Sequence, residues 1–192
     1  MSSGPEENPA LELVEEGASL DEIEEAAEIC TACELYKNAT QTVFGEGSSS
    51  AKIMLLGEQP GDEEDKQGKP FVGPAGALLD KALEEAGIER DEVYITNVVK
   101  HFRWKFGAGK KRLHQKPSTR HIQACRPWLE AELALVEPAV IVTLGASASQ
   151  AILGSDIRVT EDRGEIFEWE GNLVIPTLHP SAALRAPEAD AG

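Results

Sequence analysis

The stretch AKIMLLGEQPG, residues 51–61, is a short apolar run that ends in a turn built from two glycines and a proline. Such a run is typical of a buried strand. Three similar runs follow: VYITNVV (93–99), AVIVTLG (139–145) and LVIPTL (173–178). Helical patterns separate them at 76–87, 118–136 and 145–154. Alternating strands and helices predict an α/β fold with a largely parallel sheet.

Polar residues follow the predicted strands at their carboxyl ends. Glu58 and Gln59 come after the first run, Asn97 lies in the second, Gly145 ends the third, and His179 follows the fourth. Ligands of open parallel sheets bind at the carboxyl ends of the strands. We therefore expect these residues to line one cleft.

Length and composition predict one soluble domain. The chain has 192 residues, of which 41% are hydrophobic and 27% charged. It contains no run of 18 apolar residues and no signal-peptide pattern, so we expect a cytoplasmic protein without a membrane partner. Residues 1–18 hold five glutamates and no basic residue, and we expect them to be at least partly disordered. The single domain then covers residues 19–192 and opens with a capping box at Ser19 and Glu22.

Positive charge is concentrated in one segment of this acidic chain. The net charge is −16, yet residues 100–126 contain half of the 18 Lys and Arg residues and no Asp or Glu. A local basic field can bind phosphate despite an acidic total. The alternative to a phosphate-binding segment is that these residues form only a solvated loop. The candidate DNA-binding side chains are Lys110, Lys111, Arg112 and Lys116.

Three cysteines, Cys30, Cys33 and Cys125, are an odd number in a chain without a secretory signal. This pattern favours ligation of a metal or cluster over disulfide bonding. The Cys30 and Cys33 pair alone would also suit redox chemistry or a place in the core.

Six motifs in a fixed order resemble the uracil-DNA glycosylase superfamily. They are GEQPG (57–61), GKPFVGPAG (68–76), ITNVVK (95–100), KKRLH (110–114), ACRPWL (124–129) and TLHPSAALR (177–185). They resemble its iron-sulfur branch, close to family 4. The basic loop that ends in histidine and the GEQPG motif look like the UdgX type, whose members become covalently joined to uracil-containing DNA. The last motif departs from that type, because alanines replace one serine and one leucine.

This resemblance implies a three-layer α/β/α sandwich with a central four-stranded parallel sheet. It also implies a 4Fe-4S cluster held by Cys30, Cys33, Cys125 and His101, which stands where family 4 has a cysteine. Three thiolates and an imidazole suit tetrahedral zinc as well. The resemblance favours the cluster.

Substrate-binding roles also follow from the resemblance. Phe71 would stack on a flipped uracil, and Asn97 would read its edge, because one amide both accepts from N3–H and donates to O4. His179 would donate to O2 as the base departs. Leu184 would insert into DNA and Arg185 contact phosphate. The other residues expected to line the pocket are Gly57, Gly61 and Ser181.

His114 is the nucleophile that the UdgX resemblance implies. It would attack C1′ of the deoxyribose and stay bonded, which requires a neutral ring with a free lone pair. The flanking lysines and arginine disfavour the charged ring. Glu58 would orient the ring and take its proton, and Gln59 would hold the same network.

The expected partner is uracil-containing DNA, especially single-stranded, with free uracil as product and the protein acting as a monomer. Two alternatives remain at this stage. One is a turnover family 4 glycosylase, in which His114 only contacts DNA. The other is a non-catalytic iron-sulfur protein that binds nucleic acid.

Overall fold

The computed structural model describes residues 8–184, so the expectations for residues 1–7 and for Arg185 lie outside the described part of the chain. Within it, the strands are β1 Ile53–Gly57, β2 Val93–Asn97, β3 Trp104–Phe106, β4 Arg112–His114, β5 Val140–Leu144, β6 Phe167–Trp169 and β7 Asn172–Thr177. The α-helices are α1 Pro9–Leu13, α2 Leu20–Glu28, α3 Asp62–Gln67, α4 Pro74–Glu85, α5 Thr119–Val136, α6 Ala146–Leu153, α7 Val159–Asp162 and α8 Pro180–Ala183. No helix between residues 8 and 184 is long and apolar enough to cross a membrane.

The central sheet has five strands in the order β2-β1-β5-β7-β6. The four predicted strands are confirmed, and they run parallel. The fifth, β6, was not predicted and pairs antiparallel with β7. A two-residue turn joins them, in which Glu170 and Gly171 both have positive φ. The turn lacks the usual Asn-Gly or Asp-Gly signal and the strand has three residues, which is why the sequence pattern did not indicate it.

Successive side chains of the sheet strands point to opposite faces and pack in two separate apolar layers. Met54 and Leu56 of β1 pack in a cluster with residues of α2, α5 and α6. Leu55 points the other way, into a cluster with Leu79 and Leu83 of α4. Because successive strand residues face opposite sides, both faces of the sheet are covered by helices. The predicted α/β sandwich is confirmed.

Part of the acidic N-terminal segment forms a helix, α1. Asn8 caps α1 by accepting a hydrogen bond from the amide of Ala10, and Ala10 is fully buried in the core cluster that includes α5 residues. Ala10 and the partly buried Leu13 and Val14 therefore pack this helix against the core. The capping box at Ser19 and Glu22 is present at the start of α2.

The basic segment contains a β-hairpin where the sequence indicated only a long connection. β3 and β4 pair antiparallel, and Gly109 and Lys110 between them both have positive φ. The strands have three residues each, so the alternation in Trp104, Lys105 and Phe106 is too short to indicate a strand. This hairpin, residues 104–114, stands beside the carboxyl ends of the sheet strands.

Candidate active site

A cleft of about 840 Å³ opens at the carboxyl ends of the parallel strands. Glu58, Asn97, Gly145 and His179, which follow or end four different strands, all line it. The hairpin adds His114, and the loop before α4 adds Phe71. The structure thus brings together the strand-end residues that the sequence pattern grouped.

Glu58 and His114 form a pair at the mouth of the cleft. His114 Nε2 lies 3.3 Å from Glu58 Oε1, and the side chains are 51% and 19% exposed. Burial alone would raise the pKa of Glu58, but hydrogen bonds from His114 and Ser147 hold it below the ordinary value. Glu58 is therefore a carboxylate at neutral pH. Ser147, near the start of α6, was not recognised from the sequence.

Gln59, just after β1, holds the hairpin by hydrogen bonds. Its Nε2 donates to the carbonyl oxygens of Arg103 (3.2 Å) and Gln115 (3.1 Å), and its Oε1 accepts from the amide of Arg103 (3.0 Å). These residues flank the hairpin on either side. These bonds hold the hairpin at the cleft that Gln59 and His114 both line, and the catalytic role expected for Gln59 stays a prediction.

Phe71 sits in a strained turn at the floor of the cleft. Its φ is +52°, a left-handed conformation that is unusual for a bulky residue and is concentrated at functional sites. The ring is 5% exposed and stacks on His179, with centroids 5.8 Å apart. Glu64 fixes the turn, because its Oε1 accepts from the amides of Val72 (3.0 Å) and Gly73 (2.8 Å).

Glu64 also accepts a hydrogen bond from the GEQPG motif (57–61). Its Oε2 accepts from the amide of Gly61 at 3.1 Å, at the start of α3. Gly61 therefore helps to shape the cleft that it lines. Glu64 could not be identified from the sequence, because nothing in the acidic run DEED (62–65) separates a buried glutamate from exposed ones.

Gly57 is required by the close approach of two cleft residues. A Cβ atom there would overlap Asn97 Oδ1 and lie 2.7 Å from Phe71 Cζ. Asn97 is 2% exposed and lines the same cleft. The absence of a side chain at Gly57 is what lets the amide and the ring approach each other.

His179 is oriented by the first turn of α8. Its Nδ1 accepts from the amide of Ser181 at 3.1 Å and lies 2.8 Å from the Ser181 hydroxyl. A backbone amide can only donate, so Nδ1 carries no hydrogen in this bond. In the neutral ring the hydrogen is therefore on Nε2. Leu184, 52% exposed, lines the cleft just beyond.

The basic side chains of the segment divide into exposed and paired ones. Lys110, Lys111 and Lys116 are exposed, and the last two line the cleft. Arg112, also a candidate DNA-binding side chain, pairs with Asp62 (2.5 Å) and Asp65 (2.6 Å). These carboxylates lie on the first turn of α3, so Arg112 anchors the hairpin to that helix.

The three cysteines are free, buried thiols. Cys30 Sγ accepts from Trp128 Nε1 at 3.3 Å, and Cys125 Sγ from the amide of Lys100 at 3.5 Å. Burial raises the pKa of Cys33, and raises that of Cys125 to about 12. Any metal that binds these thiols must therefore displace their protons.

His101 is buried close to this region. Its Nε2 lies 3.1 Å from the Thr42 hydroxyl, and burial lowers its pKa to about 4, so the ring is neutral. Among residues 8–184, no three His, Cys, Asp or Glu side chains converge closely enough to hold a single metal ion. Ligands of a four-iron cluster are spaced more widely than those of one ion. Three buried thiols and a buried imidazole are a donor set that suits either an iron-sulfur cluster or tetrahedral zinc.

A buried ion pair lies beneath the floor of the cleft. Lys100 Nζ donates to Glu132 Oε2 at 2.5 Å and to the Asn97 carbonyl at 2.8 Å, and both charged side chains are 1% exposed or less. Glu132 Oε1 also accepts from the hydroxyls of Thr96 (2.8 Å) and Tyr94 (3.1 Å). The pair thus fixes the end of β2, where Asn97 lies.

Comparison with known proteins agrees with this geometry. The profile described as "Uracil DNA glycosylase superfamily" matches residues 44–191. The type-4 uracil-DNA glycosylase of Thermotoga maritima is 43% identical over 165 residues, 85% of this chain and 82% of the relative. The type-4 uracil-DNA glycosylase of Sulfurisphaera tokodaii is 39% identical over 178 residues, 88% of this chain and 77% of the relative. The chain therefore belongs to the uracil-DNA glycosylase superfamily.

Proposed function

We propose that this protein excises uracil from DNA, preferring single strands, and that His114 then remains bonded to C1′ of the abasic deoxyribose. The observation that carries the proposal is the Glu58 and His114 pair, 3.3 Å apart, at the mouth of the strand-end cleft. Excision itself is supported by relatives named type-4 uracil-DNA glycosylase. The covalent step rests on the hairpin histidine.

Recognition of the base is assigned to the floor of the cleft. A flipped base would stack on Phe71, while the buried amide of Asn97 accepts from N3–H and donates to O4 of uracil. Cytosine offers an acceptor at N3 and a donor at C4, so the same amide orientation would face it with mismatched groups. The close approach of both residues across Gly57 supports this assignment.

Departure of the base is assisted by His179. When the C1′–N1 bond breaks, its electron pair leaves with uracil and the sugar becomes oxocarbenium-like. Donors aimed at the growing negative charge lower the barrier. With Nδ1 occupied by the Ser181 amide, the His179 ring has its hydrogen on Nε2 and can donate it to uracil O2.

Capture of the sugar is assigned to His114. Because one ring nitrogen donates to Glu58, the other keeps the lone pair that forms the new bond to C1′. The alkylated ring becomes positive, and the Glu58 carboxylate stabilises it or accepts its proton. Uracil leaves as an anion and takes its proton from water.

The cluster would be held by Cys30, Cys33, Cys125 and His101, with zinc as the weaker alternative. When bound, it would cross-link the end of α2, α5 and the segment after β2, and would take no part in bond cleavage. Because the Thr42 hydroxyl donates to the Ala27 carbonyl, it accepts from His101 Nε2–H, and the Nδ1 lone pair of the neutral ring would be the fourth ligand.

DNA would be held by Lys110, Lys111 and Lys116, with Leu184 inserted into the strand and Arg185 on a phosphate. We further propose that the protein acts as a monomer, since one chain supplies every group of the cleft. Buried free thiols suit a reducing compartment, which supports a cytoplasmic location.

The test is incubation of the full chain with single-stranded oligonucleotides that contain one uracil, followed by a denaturing SDS gel and measurement of released uracil. We expect a heat-stable shift with the wild type and none with His114→Ala. Lys105→Ala, on the same hairpin, is the matched control and keeps the shift. An adduct that persists in His114→Ala would contradict the assignment of the nucleophile.

A turnover glycosylase is the second candidate, favoured by the names of the relatives. It would release uracil from excess substrate without any shift. A non-catalytic nucleic-acid binder would bind uracil and thymine oligonucleotides equally and release no base.

A further inference from the structure

The hairpin carries an aromatic surface that excision and capture do not use. Phe106, at the end of β3, is 68% exposed, and its ring packs edge-on against Trp104 with centroids 4.7 Å apart. Arg112 lies over the Trp104 ring at 5.4 Å. The Trp104 side chain is held by its indole N–H, which donates to the carbonyl of Asn38 at 3.0 Å. Phe106 is thus an exposed ring on a fixed support.

The register of the hairpin aligns Phe106 with the nucleophile. Trp104 is directly opposite His114, and Phe106 is directly opposite Arg112. Residues directly opposite, and residues two apart along a strand, share one face. Phe106 therefore lies on the same face as His114, two cross-strand pairs further along the hairpin. The two pairs are about 6.8 Å apart, the rise of about two stacked nucleotides.

The charge around Phe106 matches a nucleic-acid strand. Lys110 and Lys111 occupy the turn of the hairpin, next to the end of β3 where Phe106 lies, and both are exposed. Exposed aromatic rings beside lysines that follow the backbone are the usual means of binding single strands. A protein partner would be offered little apolar area, because the neighbouring exposed residues are charged or small.

We propose that Phe106 stacks on a base that neighbours the flipped uridine, within about two nucleotides of it. The proposal rests on the proposed function, since it places the flipped sugar at His114. Phe106 would then hold the strand along the hairpin while the cleft reads the uracil. Phe106 binds the flanking strand and takes no part in cleavage of the glycosidic bond.

The test measures equilibrium binding to a single-stranded oligonucleotide with 2′-fluoro-deoxyuridine, whose glycosidic bond resists cleavage because fluorine disfavours the sugar cation. Further oligonucleotides carry a tetrahydrofuran abasic site at one of the two positions on either side. We expect Phe106→Ala to weaken binding to the intact oligonucleotide about five- to a hundredfold. On the oligonucleotide that lacks the stacked base, the wild type and Phe106→Ala should bind equally.

Two controls separate stacking from other effects. Phe106→Trp should keep wild-type affinity, and Leu113→Ala, an exposed apolar residue on the other face of the hairpin, should change little. The dependence of affinity on salt should not change in Phe106→Ala, because the phenyl ring carries no charge that binds phosphate. A loss of affinity that stays the same with all four abasic oligonucleotides, or a changed salt dependence, would overturn the proposal. Failure of the proposed function would appear elsewhere, as no uracil release by the wild type.

Discussion

The floor of the cleft and the hairpin beside it use the same residue types in opposite ways. On the floor, Lys100 is 1% exposed and bound by Glu132, and Asn97 is 2% exposed. On the hairpin, the His114 side chain is 51% exposed and the lysines reach solvent. Buried charges fix geometry, because water cannot replace their partners. Exposed charges attract a polyanion and have little effect on stability.

This difference shows that the basic segment is not one uniform surface. Lys100, Arg112 and Arg126 each form an ion pair with a carboxylate from outside residues 100–126. Their charges are matched locally and contribute little to attraction of DNA. In the proposed function, the field that phosphate meets comes from the exposed lysines around His114.

The largest effect is expected from Lys100→Met. The substitution removes the ammonium group and leaves the fully buried Glu132 without its countercharge, which costs about 3–5 kcal/mol of unfolding free energy. Lys105→Met, on the exposed hairpin, is the matched control and should change stability by less than about 0.5 kcal/mol. Denaturant unfolding of both variants measures the contrast.

A double substitution sharpens this first test. In Lys100→Met with Glu132→Gln, the neutral amide needs no countercharge, and its oxygen can still accept from Thr96 and Tyr94. The double variant should therefore be more stable than Lys100→Met alone. If it is less stable, the cost of the single change does not arise from an unpaired carboxylate.

Gly57→Ala should separate recognition by the floor from attraction by the hairpin. The added Cβ would overlap Asn97 Oδ1 and press on Phe71, so the base could no longer sit between the amide and the ring. A misplacement of about 1 Å in a reacting group slows a reaction about a hundredfold. We therefore expect single-turnover uracil release by Gly57→Ala to be about a hundredfold slower. Affinity for a thymine oligonucleotide, which depends on the lysines, should stay unchanged. Uracil release at the wild-type rate would show that this approach is not needed.

The sequence predicted the parallel strands and the residues at their ends, because both signals are local. Four apolar runs with polar residues after them are enough to place Glu58, Asn97 and His179 in one cleft. Partners across the chain could not be predicted in this way. Glu132 follows Lys100 by 32 residues, and its buried position on α5 depends on packing that only the fold creates.

The hairpin escaped prediction for a related reason. Its strands are held by Gln59 and by the pairing of Arg112 with α3, and neither contact is visible in the segment itself. The sequence therefore singled out His114 but did not indicate that Arg112 pairs with carboxylates of α3. Short polar strands depend on such tertiary contacts, because their own periodicity carries no signal.

Gln59→Ala tests the link between the floor and the hairpin. It removes three hydrogen bonds that hold the hairpin beside Glu58, each worth about 1 kcal/mol. We expect adduct formation to slow about tenfold, since His114 is held less well, while uracil release changes less. Gln123→Ala, an exposed glutamine on α5, is the control. Equal losses in both rates would mean that Gln59 supports the whole cleft and not the hairpin alone.

The smallest effects are expected from single exposed lysines. Lys110→Ala, Lys111→Ala and Lys116→Ala should each lower affinity for single-stranded DNA only a few-fold, because each substitution removes one solvated ammonium group that binds a phosphate. The slope of log affinity against log salt should fall by about 0.7 for each such lysine replaced. Lys81→Ala, an exposed lysine on α4 away from the cleft, should leave the slope unchanged. If Lys81→Ala lowers the slope as much as Lys111→Ala does, DNA is attracted by dispersed surface charge and the hairpin has no special part in binding.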